Sequence, residues 1–426
     1  MQVHLKTLGC RLNEAELESW AEGFEAHGHD IVDTPDNADL LIVNTCAVTQ
    51  EAVKKSRQII RRAHRRNPAA KLVISGCYAS LDKRIRQDIN SIDLVVDNQH
   101  KDRLVDIALR ELDVDTMPAI STEPGAAAIF KRGRHRAFIK IQDGCRYRCT
   151  FCIVTVARGA ERSRTPAAII DDINRIHAEG IQEVVLTGVH LGGYGSDIDN
   201  SLMQVIEQIL AETDVPRIRL ASLEPWDLPE GFFRLFENPR LMPHMHLPLQ
   251  SGSNSVLRRM ARRCKTDDFE QLVTQARREI NGFNLTTDII VGFPGETDSE
   301  WRESIDFIER IGFSHVHIFT YSRRDGTRAA TLPEAVASEV KRSRSRELHR
   351  LTRRMRQDYL VDRINETHQV LWESRNENGY QTGYTDNYIR VQLADSHDVD
   401  LEHRISAVKL EGVAEDASLM YASLPD

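Results

Sequence analysis

The sequence predicts an α/β protein in three parts: an N-terminal parallel α/β domain carrying three cysteines, a central partial (βα)6 barrel, and a small C-terminal β-barrel. Short β-rich runs alternate with helix-period segments through most of the chain, the pattern of parallel sheets with helical crossovers. Six of the seven cysteines follow predicted strands. After an Arg-rich helical stretch, only short strand-like runs remain. At 426 residues the chain is long enough for two or three domains.

In the first part, residues 1–112, the runs Val3 to Thr7, Leu40 to Thr45, Lys71 to Ser75 and Asp93 to Asp97 read as strands. Glu14 to His27 and Thr49 to Arg66 read as helices. In the second of these, Ala52, Ser56, Ile59, Ile60 and Ala63 form an apolar stripe, opposite Lys54, Arg57, Arg61 and Arg65, with Thr49 as the N-cap. Cys10, Cys46 and Cys77 each lie just past a strand, in HLKTLGC, LLIVNTC and KLVISGC. Ligands of open α/β sheets bind outside the carboxyl ends of strands, so these three thiols are expected to converge.

Residues 113–135 hold Pro118, Pro124, Gly125 and an alanine run without periodicity, which marks a linker. Residues 136–330 resume the alternation, with strands near 138–142, 183–188, 217–222, 244–248, 286–292 and 315–320. Six βα units suggest an open relative of the (βα)8 barrel, with its chemistry at the carboxyl ends of the strands. Residues 331–365 read as a helical connector. Residues 366–426 carry strand-like runs at His368 to Trp372, Tyr388 to Leu393 and Ile405 to Leu410, enough for a small barrel.

Hydrophobic residues make up 41% and charged residues 28%, a balance that excludes a collagen, a disordered chain and a membrane span. Met1 to Leu5 has no basic stretch ahead of an apolar core, so a cytoplasmic location is expected, where cysteines serve as ligands or nucleophiles rather than disulfides. Net charge is −8, yet Lys54 to Arg66 holds seven basic residues and no acid. Further basic clusters lie at Lys131 to Lys140, Arg258 to Lys265 and Lys341 to Arg356. Each is either a solvated helix face or a local patch for a polyanion.

The strongest signal is Gly144-Cys145-Arg146-Tyr147-Arg148-Cys149-Thr150-Phe151-Cys152, a CxxxCxxC loop directly after the first barrel strand. Three thiolates on one loop suit a cube of iron and sulfur and leave one iron open for chemistry. The competing reading is structural zinc, which wants a fourth ligand; His135 and Asp143 do not have the usual paired spacing. Cys264, between Arg263 and Lys265, has no visible partner and reads as a structural thiol.

This loop, with an aromatic before its last cysteine, resembles that of the radical S-adenosylmethionine (SAM) enzymes. The resemblance implies that Cys145, Cys149 and Cys152 hold a catalytic [4Fe-4S] cluster that reduces SAM. It further implies SAM contacts from Phe151, from Thr187 and Gly188 in LTGVH, and from Val291, Gly292 and Pro294 in IIVGFPGE. The chain departs from the pattern at Val154-Thr155-Val156, where relatives carry a proline after the third cysteine.

The whole chain resembles the methylthiotransferases among these enzymes, whose three-cysteine domain matches GCRLN, NTC and SGC and whose TRAM domain is a small RNA-binding barrel. By resemblance, Cys10, Cys46 and Cys77 hold a second [4Fe-4S] cluster that carries the sulfur to be inserted. NTCAVT with AVKKSRQ, GVHLG and GYTDNYIRV look most like the type acting on threonylcarbamoyladenosine at position 37 of the tRNA anticodon loop. The implied reaction abstracts hydrogen from C2 of that adenine and adds a methylthio group. RNA contacts are expected from Lys54, Arg57 and Arg61, and from Tyr384, Tyr388 and Arg390. A flavodoxin- or ferredoxin-like electron donor and a sulfur source are implied partners, and no membrane is. The alternatives are isopentenylated tRNA, a ribosomal-protein aspartate, or a non-catalytic iron–sulfur RNA-binding or sensor protein.

Overall fold

The computed structural model describes residues 1–82, 84–89, 91–112, 135–394 and 400–425. The N-terminal sheet is parallel, in the order β2-β1-β3-β4-β5, from β1 (Gln2–Thr7), β2 (Asp30–Ile31), β3 (Leu40–Thr45), β4 (Lys71–Gly76) and β5 (Leu94–Val95). Helices α1 (Arg11–Ala26), α2 (Gln50–Arg66), α3 (Cys77–Leu81), α4 (Ile85–Asp88) and α5 (Leu104–Glu111) cover it. Alternation along β3 sends Leu40 and Ile42 toward Trp20 and Phe24 of α1, and Leu41 and Val43 toward Ile60 of α2. Every residue of β3 is therefore buried, as a sheet covered on both faces requires.

Thr49 caps α2 by accepting from Ala52 N at 3.0 Å. Ser56 and Ile60 are its buried residues, and Lys54 and Arg61 are exposed. The strand expected at Asp93 to Asp97 shrinks to two residues at the sheet edge. Its flanking aspartates turn to other partners: Asp93 accepts from Leu72 N at 2.8 Å, and Asp97 from Gln99 N at 3.0 Å.

Residues 113–134 of the expected linker lie outside the described residues. Beyond them come β6 (Arg136–Lys140) and the antiparallel pair β7 (Gln142–Asp143) and β8 (Arg162–Ser163), which brackets the cysteine loop and α6 (Val154–Arg158). The α6 helix begins where the expected proline is absent. The barrel continues with α7 (Pro166–Ala178), β9 (Glu183–Thr187), α8 (Leu202–Glu212), β10 (Arg217–Leu220), β11 (His244–His246), α9 (Asn254–Arg259), α10 (Thr266–Glu279), β12 (Asn284–Val291), α11 (Asp298–Ile311) and β13 (His315–Thr320).

Two parallel three-stranded sheets, β6-β9-β10 and β11-β12-β13, are joined by the bridges Ile218↔Leu241 and Ser222↔His246. The six strands thus run in sequence order as an open barrel. The connection from β10 to β11 carries a 3-10 turn at Phe232–Glu237 where the sequence pattern predicts an α-helix.

Helix α12 (Ser338–Val361) packs along β13 and reaches the C-terminal barrel. That barrel is closed in the order β14-β15-β16-β18-β17, from β14 (Thr367–Trp372), β15 (Thr382–Thr385), β16 (Arg390–Leu393), β17 (Ile405–Val413) and β18 (Met420–Ser423). Val370, Trp372, Val391, Val408, Leu410 and Met420 fill it. The strand expected from Tyr388 begins only at Arg390, because Tyr388 has φ +72° and sits in a turn. No helix among the described residues is long and apolar enough to cross a membrane.

Candidate active site

The CxxxCxxC loop is folded by its own backbone. Gly144 has φ +74°, and a Cβ there would lie 1.9 Å from Ala160 O, so only glycine fits. Cys145 N donates to Gly159 O at 3.1 Å and Cys152 N to Cys149 O at 3.1 Å, tying the loop at both ends. Burial pushes the Cys145 thiol up to about 12 and the Cys152 thiol to about 11; Cys152 and Cys149 add to the first shift and Cys149 to the second. Arg262, ion-paired to Glu224 at 2.7 Å, approaches Cys149 Sγ at 3.8 Å and offsets developing thiolate charge.

The second triad is assembled from three strand ends. Cys10 is the N-cap of α1, Cys46 follows β3, and Cys77 opens α3. A Cβ on Gly9 would meet Cys46 Sγ at 3.3 Å, and one on Gly76 would meet Thr45 O at 2.3 Å, so both glycines permit close loop approach. Cys46 is pushed up to about 11 by burial first and then by Cys77 and Cys10.

Both triads fit iron–sulfur ligation. Each holds three mutually interacting thiols, and Thr7 Oγ1, Asn44 Oδ1, Ser75 Oγ and Asn98 Oδ1 around the second are buried without partners. Neither triad is among the described groups whose ligand atoms all lie within 4.8 Å, the arrangement for one ion. Thiolates serving different irons of a cube are naturally more spread.

A buried charge cluster joins the two scaffolds. Lys101 contacts Glu16 and lies 3.1 Å from Asp143; Arg158 lies 2.8 Å from Glu16 and 3.0 Å from Asp143. Arg158 also donates to Asn13 Oδ1 at 2.8 Å, beside Cys10. Burial opposes ionisation of Glu16, but Arg158 and Lys101 outweigh it and hold the carboxyl well below the usual range. Asp143 immediately precedes Gly144-Cys145, so this cluster fixes one cysteine loop relative to the other.

At the end of β9, Gln142 Oε1 accepts from Val189 N at 3.0 Å and His190 N at 2.9 Å, shaping the Thr187-Gly188 loop. His190 lies between Glu161 Oε1 at 2.5 Å and Asp227 Oδ2 at 2.6 Å, and Tyr147 of the cysteine loop donates to Asp227 at 2.5 Å. Burial works against protonation of His190, but the two carboxylates raise its pKa. At the end of β12, Val291 is buried and Gly292 has φ +75°. Gly292 N donates to Glu296 at 2.9 Å, bracing the Gly292-Phe293-Pro294 turn. Phe151 packs near Val256, Met260 and Phe293.

A cavity of about 690 Å³, within the range of small-ligand sites, lies between the three parts of the chain. Cys10, Arg11, Thr187 and Gly188 line it, as do Tyr384, Tyr388 and Arg390 of the C-terminal barrel. Tyr388 stacks on Tyr384 at 4.9 Å and on His244 at 4.8 Å, and accepts from Arg11 at 3.0 Å. These tyrosines thus face the cavity.

Of the expected α2 contacts, Lys54 and Arg61 are exposed, while Arg57 donates to Tyr78 at 2.5 Å and approaches Asp82. Cys264 is buried, and its thiol is pushed up to about 12 by burial. The basic clusters at Arg258 to Lys265 and Lys341 to Arg356 are not uniform faces: Arg259 pairs with Glu300, Arg262 with Glu224, and Arg344 with Glu296.

Sequence reasoning left Gln142, Arg158, Glu161, Asp227 and Lys101 without roles. His190 stood inside a quoted motif, but its carboxylates are 29 and 37 residues away, a distance with no local signal.

Residues 2–97 match the model of Uncharacterized protein family UPF0004, and residues 139–308 that of the Radical SAM superfamily. The chain is 34% identical over 416 residues to the threonylcarbamoyladenosine tRNA methylthiotransferase MtaB of Bacillus subtilis (strain 168), covering 93% of this chain and 91% of that one. It is 31% identical over 399 residues to the tRNA-2-methylthio-N(6)-dimethylallyladenosine synthase of Staphylococcus saprophyticus, covering 89% and 77%. Among solved structures, the radical S-adenosylmethionine methyltransferase TsrM of Kitasatospora setae superposes with a TM-score of 0.58 at 17% identity, covering 77% of each chain, a likeness of fold.

Proposed function

The chain belongs to the radical SAM tRNA methylthiotransferase family, and from that premise we propose that it converts threonylcarbamoyladenosine at position 37 of tRNA to its 2-methylthio derivative. The observation that carries the substrate choice is the cavity wall. Four histidines, at 244, 246, 315 and 317, and three arginines, at 11, 356 and 390, line it. A threonylcarbamoyl group brings a carboxylate and several hydrogen-bonding atoms, which suit such a wall. An isopentenyl group would gain no hydrogen bonds from this polar wall, which also holds Glu14 and Asp288. The higher identity to the threonylcarbamoyl relative supports the same choice.

In this reading Cys145, Cys149 and Cys152 hold one [4Fe-4S] cluster, and Cys10, Cys46 and Cys77 a second. Phe151, Thr187, Gly188, Val291, Gly292 and Pro294 contact SAM. Bound, these groups supply the electron, the radical chemistry and the sulfur. The chain's own contribution is placement. The Lys101–Arg158 cluster sets one triad against the other, the Gln142-braced loop presents backbone at the end of β9, and Cys10 faces the cavity in which the base would sit.

Residues 1–112, 136–330 and 366–426 form the cluster-bearing, catalytic and RNA-binding parts, the last as a TRAM domain, with a linker at 113–135 and a helical connector at 331–365. Lys54 and Arg61 are exposed and available to phosphates, while Tyr384, Tyr388 and Arg390 line the cavity that takes the base. A cytoplasmic location and a ferredoxin- or flavodoxin-like donor complete the proposal.

Anaerobic assays of the reconstituted enzyme on three substrates test it. Turnover is expected on tRNA bearing threonylcarbamoyladenosine, and little on isopentenylated tRNA or a ribosomal protein. Preference for isopentenylated tRNA would refute the substrate and leave the family standing.

A further inference from the structure

The cavity runs along the barrel axis. Thr187 and Gly188 stand at the carboxyl end of β9, whereas Ser314 and His315 stand at the amino end of β13, and all four line it. Register layers the wall between these ends: His244 pairs with Asn284, His246 with Thr286 and Thr286 with His315, and Asp288 with His317. A base held near Cys10 and Thr187 would share the cavity with His315, within which its N6 substituent could extend toward that residue.

At that end Arg356 enters from α12. Its Nε donates to Ala417 O, its Nη2 to Ser418 O at 2.9 Å, and its Nη1 to His315 Nδ1 at 3.1 Å. An arginine only donates, so His315 Nδ1 is the acceptor, and a neutral ring carries its proton on Nε2. Burial, His317 and Arg356 accordingly push the His315 pKa down to about 4. Three of the five guanidinium N–H groups are used, leaving one on each terminal nitrogen.

No carboxylate among the described residues is ion-paired to Arg356. The fully buried arginines have one: Arg262 has Glu224, Arg344 has Glu296, and Arg158 has Glu16 and Asp143, whereas half-buried Arg240, like Arg356, is held by backbone carbonyls. Arg356 is thus a fixed, partly desolvated cation that faces the cavity with no ion-paired acid among the described residues; Asp416 acts on it only from beyond ion-pair distance. Arg390 also lines the cavity but is exposed.

Resting on the substrate reading above, we propose that Arg356 binds the carboxylate of the threonylcarbamoyl group, with His315 as the positioning residue that holds the guanidinium. The two remaining N–H groups match the fork by which arginine engages a carboxylate. Recognition then requires the C-terminal barrel to be seated, because the carbonyls of Ala417 and Ser418 orient the fork.

The test uses two anticodon stem-loop RNAs, one with threonylcarbamoyladenosine and one with its uncharged carboxamide analogue, and reads the ratio of their kcat/KM values. The holoenzyme is expected to prefer the acid by roughly 10- to 100-fold. Arg356→Gln should collapse that ratio toward one, and Arg356→Lys should retain part of it. The lysine variant supplies the ratio if the glutamine variant does not fold. His315→Phe should lower the ratio less than Arg356→Gln. Wild type without an acid preference, or Arg356 variants that keep the full ratio, would overturn the assignment while leaving the substrate reading intact. An enzyme that turned over neither RNA would overturn both.

Discussion

Uncoordinated, half-buried Cys145 and buried Cys46 would stay protonated at neutral pH: Cys145 is pushed up to about 12 and Cys46 to about 11, chiefly by burial. A bound metal deprotonates a thiol outright, so iron and the protein's own cations must supply what burial opposes. The two triads then predict separable losses. Replacing Cys145, Cys149 and Cys152 by alanine should halve the iron of the reconstituted enzyme and abolish reductive SAM cleavage. Replacing Cys10, Cys46 and Cys77 should also halve the iron, yet spare cleavage and stop sulfur insertion. Iron analysis with chromatography of cleaved SAM checks both, and an undiminished iron load in the second variant would refute the second cluster. At this scale the sequence was informative, because CxxxCxxC is a local spacing on one loop. The partners of His190 were not legible, since Glu161 and Asp227 reach it only through the fold.

Between elements, magnitudes separate decoration from structure. Arg66 of α2 pairs with Asp36, but both are nearly half exposed, so the pair contributes less than about 1 kcal/mol. Lys101 and Arg158 are fully buried with Glu16 and Asp143. Removing either cation strands a carboxylate in the interior. Lys101→Met and Arg158→Leu should each destabilise the protein by about 3–5 kcal/mol, whereas Arg66→Ala should barely register. Denaturant unfolding of the three variants measures this, and a near-wild-type midpoint for Lys101→Met would show that the cluster does not hold the scaffolds together. The helix pattern of α2 was readable because its stripe repeats every turn, with Thr49 in the cap position. The basic runs near Arg259 and Arg344 read as surface, although their acids lie on other elements.

Across the whole molecule, the C-terminal barrel is seated on the central one by backbone acceptors. Arg217 donates to Tyr384 O at 3.1 Å, and Arg219 to Thr385 O at 2.7 Å and Asp386 O at 2.8 Å, while Glu183 balances both arginines. Asp386 is in turn held by His368 at 2.8 Å, whose other nitrogen meets Glu366 at 2.9 Å. Burial lowers the His368 pKa, but Asp386 and Glu366 outweigh it and raise the pKa above 6.5. A histidine with a raised folded pKa contributes stability in full below the unfolded pKa, and the contribution is lost as pH rises through the folded one. The stability gap between wild type and His368→Gln should therefore be widest below about pH 6.5, at about 1–3 kcal/mol, and shrink as pH rises through the raised folded value. Denaturant titrations across that window test it; a gap constant with pH would mean that His368 acts without its charge.

The sequence by itself determined the layered α/β plan, the six ligand cysteine candidates, the βα turns at Gly188 and Gly292, and a closing barrel. Each is a local property: a period, a spacing, or a glycine where the backbone turns with positive φ, as at Gly292. Only the tertiary structure decided what surrounds those features. It placed Tyr384 and Tyr388 against a cavity with Cys10, tied Arg57 to Tyr78, and set Arg356 on the same cavity without an ion-paired acid among the described residues. It also supplied the β15 and β18 strands, which lacked a run long enough to read. The physical reason is sequence separation: charge pairing and cavity lining join residues up to hundreds of positions apart, and no periodicity records which distant group neutralises a buried one.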